Sequence, residues 1–133
     1  MEENRYERHF LLDGFGRDGQ KKLSEAKVLI VGVGGLGSPV AMYLASAGIG
    51  KIGLIDADVV DVTNLQRQII HSESSVGVDK VVSAKSRIAE LNSETEVITY
   101  NFFFDVNNAE SIAAEYDFIV DCADNNPTKF LIN

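Results

Sequence analysis

One cysteine, two prolines, two histidines and no tryptophan stand among these 133 residues. With Cys122 alone, neither a disulfide framework nor a cysteine zinc site can form within the chain, and a reducing cytoplasm is the expected setting. Lysine and arginine number 12 against 20 aspartates and glutamates, a net charge of -8. No basic block is present to displace counterions from a phosphate backbone, which argues against general nucleic-acid binding. The opening MEENRYERHF is charged and lacks the apolar centre of an export signal. A hydrophobic content of 45% at this length suits one domain with a real core.

A long unbroken apolar run is also missing, although one stretch comes near. From Lys27 to Lys51 there is no charge, but six glycines and a proline interrupt the segment. A turn that dense in glycine would leave backbone groups unpaired in lipid, so no membrane span is expected. The internal pattern reads instead as strand, tight turn and helix. Val28 to Val31 is a β-branched and leucine run of the kind buried on both faces of a sheet. Gly32-Val33-Gly34-Gly35-Leu36-Gly37 follows as the turn. Ser38 is expected to cap a helix that Pro39 opens and Gly48 ends. Lys51 to Ile55 then forms a second strand that finishes at Asp56.

G-x-G-x-x-G between strand and helix, with a carboxylate roughly 20 residues on, is the dinucleotide-type phosphate fingerprint in its required context. The glycines permit a sharp turn and close backbone approach to an anion, and the helix start offers unpaired N–H groups. Gly32, Gly34, Gly35 and Gly37 are therefore candidate phosphate-binding residues, and Asp56 a candidate acceptor for ribose hydroxyls.

Downstream, Asp58 to Lys80 is polar and irregular, with a short helix expected at Asn64 to Ile69. Asp79 to Leu91 carries Val81, Ala84, Ile88 and Leu91 at helical spacing. Glu96 to Phe103 reads as a strand, Asn107 to Tyr116 as a helix and Asp117 to Ala123 as a fourth, buried strand. A short helix at Asp18 to Glu25 leads in, and another begins at Thr128. Strands alternating with helices predict an α/β fold: a Rossmann-like, doubly wound and mainly parallel sheet with helices on both faces, truncated after about four strands. Residues 1–26 form a helical lead-in and 27–133 the nucleotide-binding domain. Strand four should lie beside strand one, with the ligand crevice at their carboxyl ends.

That order places Asp124 and Asn125 opposite the glycine turn. A carboxylate beside phosphates needs a cation between them, and Mg²⁺ held by Asp124 and phosphate oxygens is the common solution. Turn formation by ADNNP is the plainer reading of the same residues. Arg67 and Lys80 supply the local positive charge that the acidic total lacks; together they can clamp a triphosphate as pyrophosphate leaves. TNLQRQ, which also holds Asn64 and Gln66, is an amide-rich, cationic loop for which a dehydrogenase has little use. Cys122 on a buried strand reads as a small hydrophobe rather than a nucleophile. His9 and His71 lack ligand-like company and read as solvated or partly buried.

With these residues assembled, the chain resembles the ThiF/MoeB/HesA adenylyltransferases, relatives of ubiquitin-activating enzymes. The matching motifs are RYERH, DGQKKL, VLIVGVGGLGSP, YLASAGIGKIGLID, NLQRQIIH, VGVDK and DCADN. The resemblance implies ATP-dependent adenylation of the C-terminal Gly-Gly carboxylate of a ubiquitin-like sulfur-carrier protein, with release of pyrophosphate, in thiamine or molybdopterin biosynthesis. It implies that Gly35 lies in the phosphate loop and Asp56 binds ribose, with Asp58 beside it. Asn64, Gln66, Arg67 and Lys80 would contact the triphosphate, Asp124 would hold Mg²⁺, and Asn125 would neighbour the nucleotide. Arg8 resembles an arginine that reaches into the partner's site in the family's homodimers, although the family's usual glutamine after it is His9 here. Complete members continue into further strands, a crossover segment with a reactive cysteine and, in many, two C-x-x-C zinc pairs; this chain would be the nucleotide-binding half, and any Zn²⁺ would belong to the remainder. Two other readings compete. A nicotinamide-binding oxidoreductase domain has the fingerprint and Asp56 on its side, and a non-catalytic subunit of a heterodimeric activating enzyme would be expected to lose the cations that are present.

Overall fold

The computed structural model describes residues 5–6, 16–105 and 107–123. Helix α1 (Gly16–Glu25) leads into strand β1 (Lys27–Val31), helix α2 (Gly37–Ala47) and strand β2 (Lys51–Ile55). A long connection with two 3-10 turns, Val62–Asn64 and Glu73–Ser75, reaches helix α3 (Lys80–Leu91); β3 (Glu96–Tyr100), the short α4 (Ala109–Ala113) and β4 (Phe118–Asp121) complete the order. The four strands form one parallel sheet in the order β3-β2-β1-β4. β4 therefore lies against β1, and the chain switches direction between them as the alternation of elements predicts.

Side-chain alternation distributes the apolar residues to two cores, as a sheet covered on both faces requires. Val28, Ile30, Ile52 and Leu54 face Ala41 and Ala45 of α2 and Val81, Ala84 and Ile88 of α3. Leu29, Val31 and Ile55 face the other way, onto Phe104, Ile112 and Tyr116. On that second face Gly53 leaves room for the Tyr116 ring. Burial and the Tyr100 hydroxyl, 3.0 Å away, push the Tyr116 phenol well above its ordinary range.

Several local expectations need correction. The helix expected at Asn64 to Ile69 is instead a 3-10 turn at Val62–Asn64 followed by turns, and the one expected at Asn107 to Tyr116 shrinks to α4. β4, expected buried over Asp117 to Ala123, is an edge strand of the described sheet over Phe118–Asp121, with Phe118 exposed. Helix α2 starts at Gly37, with Leu36 in the capping position and no side-chain cap. Ser38 is already inside the helix and fully buried; its Oγ donates back to the Gly34 carbonyl at 2.6 Å, so it ties the turn to the helix rather than capping it. The third strand ends at Tyr100, three residues before the expected limit, and Phe102 to Phe104 leave the sheet. Gly48 does end α2, with φ of 99° and its N–H on the Ala45 and Leu44 carbonyls. No helix among the described residues is long and apolar enough to cross a membrane.

Candidate functional site

At the carboxyl ends of β1 and β2 lies a cleft of about 170 Å³ lined by Gly32, Gly34, Asp56, Asp58, Gln68, Lys80, Phe102 to Phe104, Cys122 and Ala123, among others. The glycines of its turn divide into two kinds. Gly32 has φ of 94°, and a Cβ there would stand 2.8 Å from the Cys122 carbonyl oxygen; a Cβ on Gly37 would collide with the Gly32 carbonyl. Those two are dictated by packing. Gly34 and Gly35 meet nothing closer than 3.4 Å, from Gln68 Nε2 and Arg67 Cδ respectively, so there the missing side chain leaves space above the turn.

The turn is stapled from both sides. Asp56 Oδ2 accepts from the Val33 N–H at 2.8 Å, while Oδ1 accepts from the Asp58 N–H at 2.9 Å. From the other side, His71 Nε2 lies 3.1 Å from the Val33 carbonyl and Nδ1 lies 2.7 Å from Ser83 Oγ. A carbonyl only accepts, so Nε2 carries the proton and Nδ1 accepts from the serine hydroxyl in the neutral ring. Burial lowers the His71 pKa, the Lys80 charge lowers it further, and the Val33 bond and Asp56 oppose the shift. His71 thus joins the turn to α3, the helix that begins with Lys80. The expectation of a solvated or partly buried histidine is replaced by a buried, fully bonded one.

Lys80 reaches the cleft because the irregular connection folds back on itself. Its N–H donates to the Asp58 carbonyl at 2.9 Å, and Val59 pairs with Asp79 in an antiparallel bridge. Although charged, Lys80 is buried. Arg67 lies beside the turn with its Cδ near Gly35; its guanidinium donates to the Thr63 carbonyl at 3.3 Å, and it is exposed rather than part of the cleft wall. Asn64 serves its own loop: its Oδ1 accepts from the Asp61 N–H while Asp61 accepts from Thr63. Those Thr63 bonds, backbone first, lower the Asp61 pKa. Gln66 is exposed and absent from the cleft wall. Arg8, Asp124 and Asn125 fall outside the described residues.

The structure thus gathers Gly32, Gly34, Asp56, Asp58 and Lys80 around one cleft, sets Gly35 and Arg67 at its lip, and leaves Asn64 and Gln66 aside. Two contributors escaped the sequence reading. Gln68 is one, and the apolar wall of Phe102 to Phe104 is the other. The first has no periodicity to point it inward; of the second, Phe102 and Phe103 read as the end of a strand while Phe104 lies just past it. Cys122 sits at the cleft floor just past β4, its N–H on the Val31 carbonyl at 2.8 Å. Burial and then Asp121 raise its thiol pKa, which suits an inert side chain. No group of three or more His, Cys, Asp or Glu side chains forms a metal cage among the described residues. The arrangement can hold an anion over amide groups, with a buried ammonium beside it and carboxylates at the strand end.

Comparison with known proteins gives a consistent outcome. The ThiF family profile matches residues 6–133. The chain is 49% identical over 129 residues to the adenylyltransferase and sulfurtransferase MOCS3-1 of Zea mays, covering 97% of this chain and 28% of the relative. For MOCS3 of Xenopus laevis the identity is 47% over 129 residues, covering 97% and 29%. The chain therefore spans under a third of the length of these relatives. Among solved structures, E. coli tRNA N6-threonylcarbamoyladenosine dehydratase, TcdA, in complex with ATP superposes with a TM-score of 0.89 at 34% identity, covering 98% of this chain and 54% of that one.

Proposed function

The chain belongs to the ThiF family, and from that premise we propose that it binds ATP in the cleft and forms the nucleotide-binding part of an enzyme that adenylates the C-terminal Gly-Gly carboxylate of a ubiquitin-like sulfur-carrier protein. The observation that carries this reading is the meeting of the Gly34 turn, Asp56 and the buried Lys80 at the carboxyl end of a parallel sheet. A structural relative solved with ATP and curated relatives named adenylyltransferases support it.

In this reading the phosphates lie over the glycine turn, at the positive end of α2. The Ser38 and Val40 N–H groups there already donate to the Gly34 and Leu36 carbonyls and Pro39 has none, so the contacts fall to the turn itself. Asp56, whose oxygens each retain acceptor capacity beyond one backbone bond, takes ribose hydroxyls. The phenylalanine wall offers apolar surface to the purine. The carrier's carboxylate oxygen attacks the α-phosphorus, the bond from that phosphorus to the bridging oxygen breaks, and pyrophosphate departs with the electron pair. Lys80 from the wall and Arg67 from the lip neutralise the charge that grows on the leaving group. Mg²⁺ would be held by Asp124 together with phosphate oxygens, a donor set that needs no further protein cage, and would supply additional charge neutralisation. Arg8 of a second copy in a homodimer would complete the site. The product acyl-adenylate is the activated form from which sulfur can be installed in thiamine or molybdopterin synthesis.

Exchange of labelled pyrophosphate into ATP, catalysed by the full-length protein with a Gly-Gly-terminated carrier, tests the reaction. Carrier-dependent exchange is expected; its absence overturns the reading. Calorimetric titration with NAD against Mg-ATP separates the dehydrogenase alternative, which requires NAD to bind more tightly.

A further inference from the structure

Among the described residues, one buried side-chain oxygen or nitrogen has no hydrogen-bond partner, Gln68 Oε1. The residue is only 4% exposed and lines the cleft, with its Nε2 3.4 Å from where a Gly34 Cβ would stand. A buried acceptor left empty costs free energy, and native proteins rarely leave one so without a ligand or water to fill it. Its backbone is anchored on both sides, by its N–H to the Asn64 carbonyl at 2.9 Å and by its carbonyl to the His71 N–H at 3.0 Å, so the amide is held beneath the turn.

The chemistry of that atom restricts its partner. An amide oxygen accepts, and every oxygen of a triphosphate also accepts, so the phosphates themselves cannot satisfy it. Of the donors that ATP carries, the purine amino group lies across the base from the phosphates. The ribose hydroxyls lie nearer the α-phosphate than the purine amino group does, and Gln68 stands beside the turn proposed to hold the phosphates. Asp56, another acceptor in the cleft wall, gives one lone pair of each oxygen to a backbone N–H and keeps the rest for the ribose; a sugar with two hydroxyls can meet both Asp56 and Gln68. The geometry points to Gln68 as a specificity-determining residue that accepts a hydrogen bond from a ribose hydroxyl and so selects ribonucleotides over deoxyribonucleotides. This rests on the ATP-binding reading above and adds a residue to it.

Calorimetric titration of the full chain with Mg-ATP, Mg-2′-deoxy-ATP and Mg-3′-deoxy-ATP tests the assignment without recourse to turnover. The wild type should bind ATP about tenfold more tightly than one of the two analogues, the scale expected when a buried acceptor loses its donor. Gln68→Met should lose about that factor for ATP and nothing for that analogue, so discrimination collapses. Gln68→Asn, which withdraws the amide by one methylene, should lose the same discrimination and stands in if the methionine variant fails to fold. Gln68→Glu keeps an acceptor in place; it should weaken all three nucleotides by repulsion of the phosphates yet retain the preference. A wild type indifferent to the sugar, or variants that keep the preference or weaken all three nucleotides alike in the methionine and asparagine forms, overturns the role of Gln68 while leaving ATP binding intact. If none of the three binds to the wild type, the ATP-binding reading falls and this assignment with it.

Discussion

The two ends of the sheet carry hollows of very different character. At the amino end, below Gly48 and Gly50, a space of about 620 Å³ is bounded by Tyr6, Arg17, Gln20, Asn92 and Thr95, whereas the cleft at the carboxyl end measures about 170 Å³. Size would favour the first. Its buried polar side chains, however, are already paired. Asn92 Nδ2 donates to the Tyr6 hydroxyl at 2.7 Å and to the Ala45 carbonyl at 2.9 Å, Gln20 donates to Ala47, and Thr95 donates to Ile49. They tie the ends of α2 and α3 together. In the smaller cleft an ammonium is buried, two carboxylates stand at the strand end and an amide oxygen is empty. Volume measures how loosely elements meet; unfilled polar capacity and desolvated charge mark where a ligand belongs.

Substitutions at the two ends should therefore separate stability from chemistry. The largest effect is expected of Lys80→Ala, which removes the buried cation and should lower pyrophosphate exchange by about a hundredfold; retention of wild-type exchange would erase the contrast. Arg67→Ala, at the exposed lip, and Asp124→Ala should each lower exchange by more than about tenfold. Next comes Gly37→Ala, whose methyl group meets the Gly32 carbonyl. It should destabilise the fold by about 1–3 kcal/mol in denaturant titrations, and nucleotide affinity should fall with the displaced turn. Asn92→Ala at the amino end should cost a comparable 1–3 kcal/mol, by rough estimate, through the Tyr6 hydroxyl and Ala45 carbonyl it deserts, yet leave ATP affinity unchanged.

A smaller effect concerns pH. Because the folded state holds His71 below its ordinary 6.5, the unfolded chain takes up that proton first as pH falls. The contribution is complete above the unfolded value and is lost as pH descends through 6.5 toward the folded pKa. Urea unfolding between about pH 8 and pH 5 should show a slope that His71→Gln flattens. Smallest is Cys122→Ala, expected to leave exchange within about twofold, because a buried thiol with a raised pKa behaves as a small apolar group.

Much of the framework was legible beforehand. The Val28 to Val31 run, the glycine turn, the helix ended by Gly48 and the strand from Lys51 to Ile55 lie where their local signals put them, since each is specified by neighbours within a few residues. The polar connection was less readable. In QRQ, alternation offers no way to choose between Gln66 and Gln68, because an irregular segment has no period; the fold turns the first outward and buries the second. His71 showed no company in sequence because its partners, Val33 and Ser83, are 38 and 12 residues away.

Period, turn chemistry and glycine placement were enough to specify the alternation of strands and helices and the place of β4 beside β1, because those depend on local preference and on the need to cover both faces of a parallel sheet. Which polar side chains face the cleft, and which merely bind the backbone of their own loop, emerged from long-range contacts. The reason is physical: a side chain's role depends on whether its hydrogen-bonding capacity is met by neighbours that only folding brings together, and at Gln68 that capacity is left unmet beside the glycine turn.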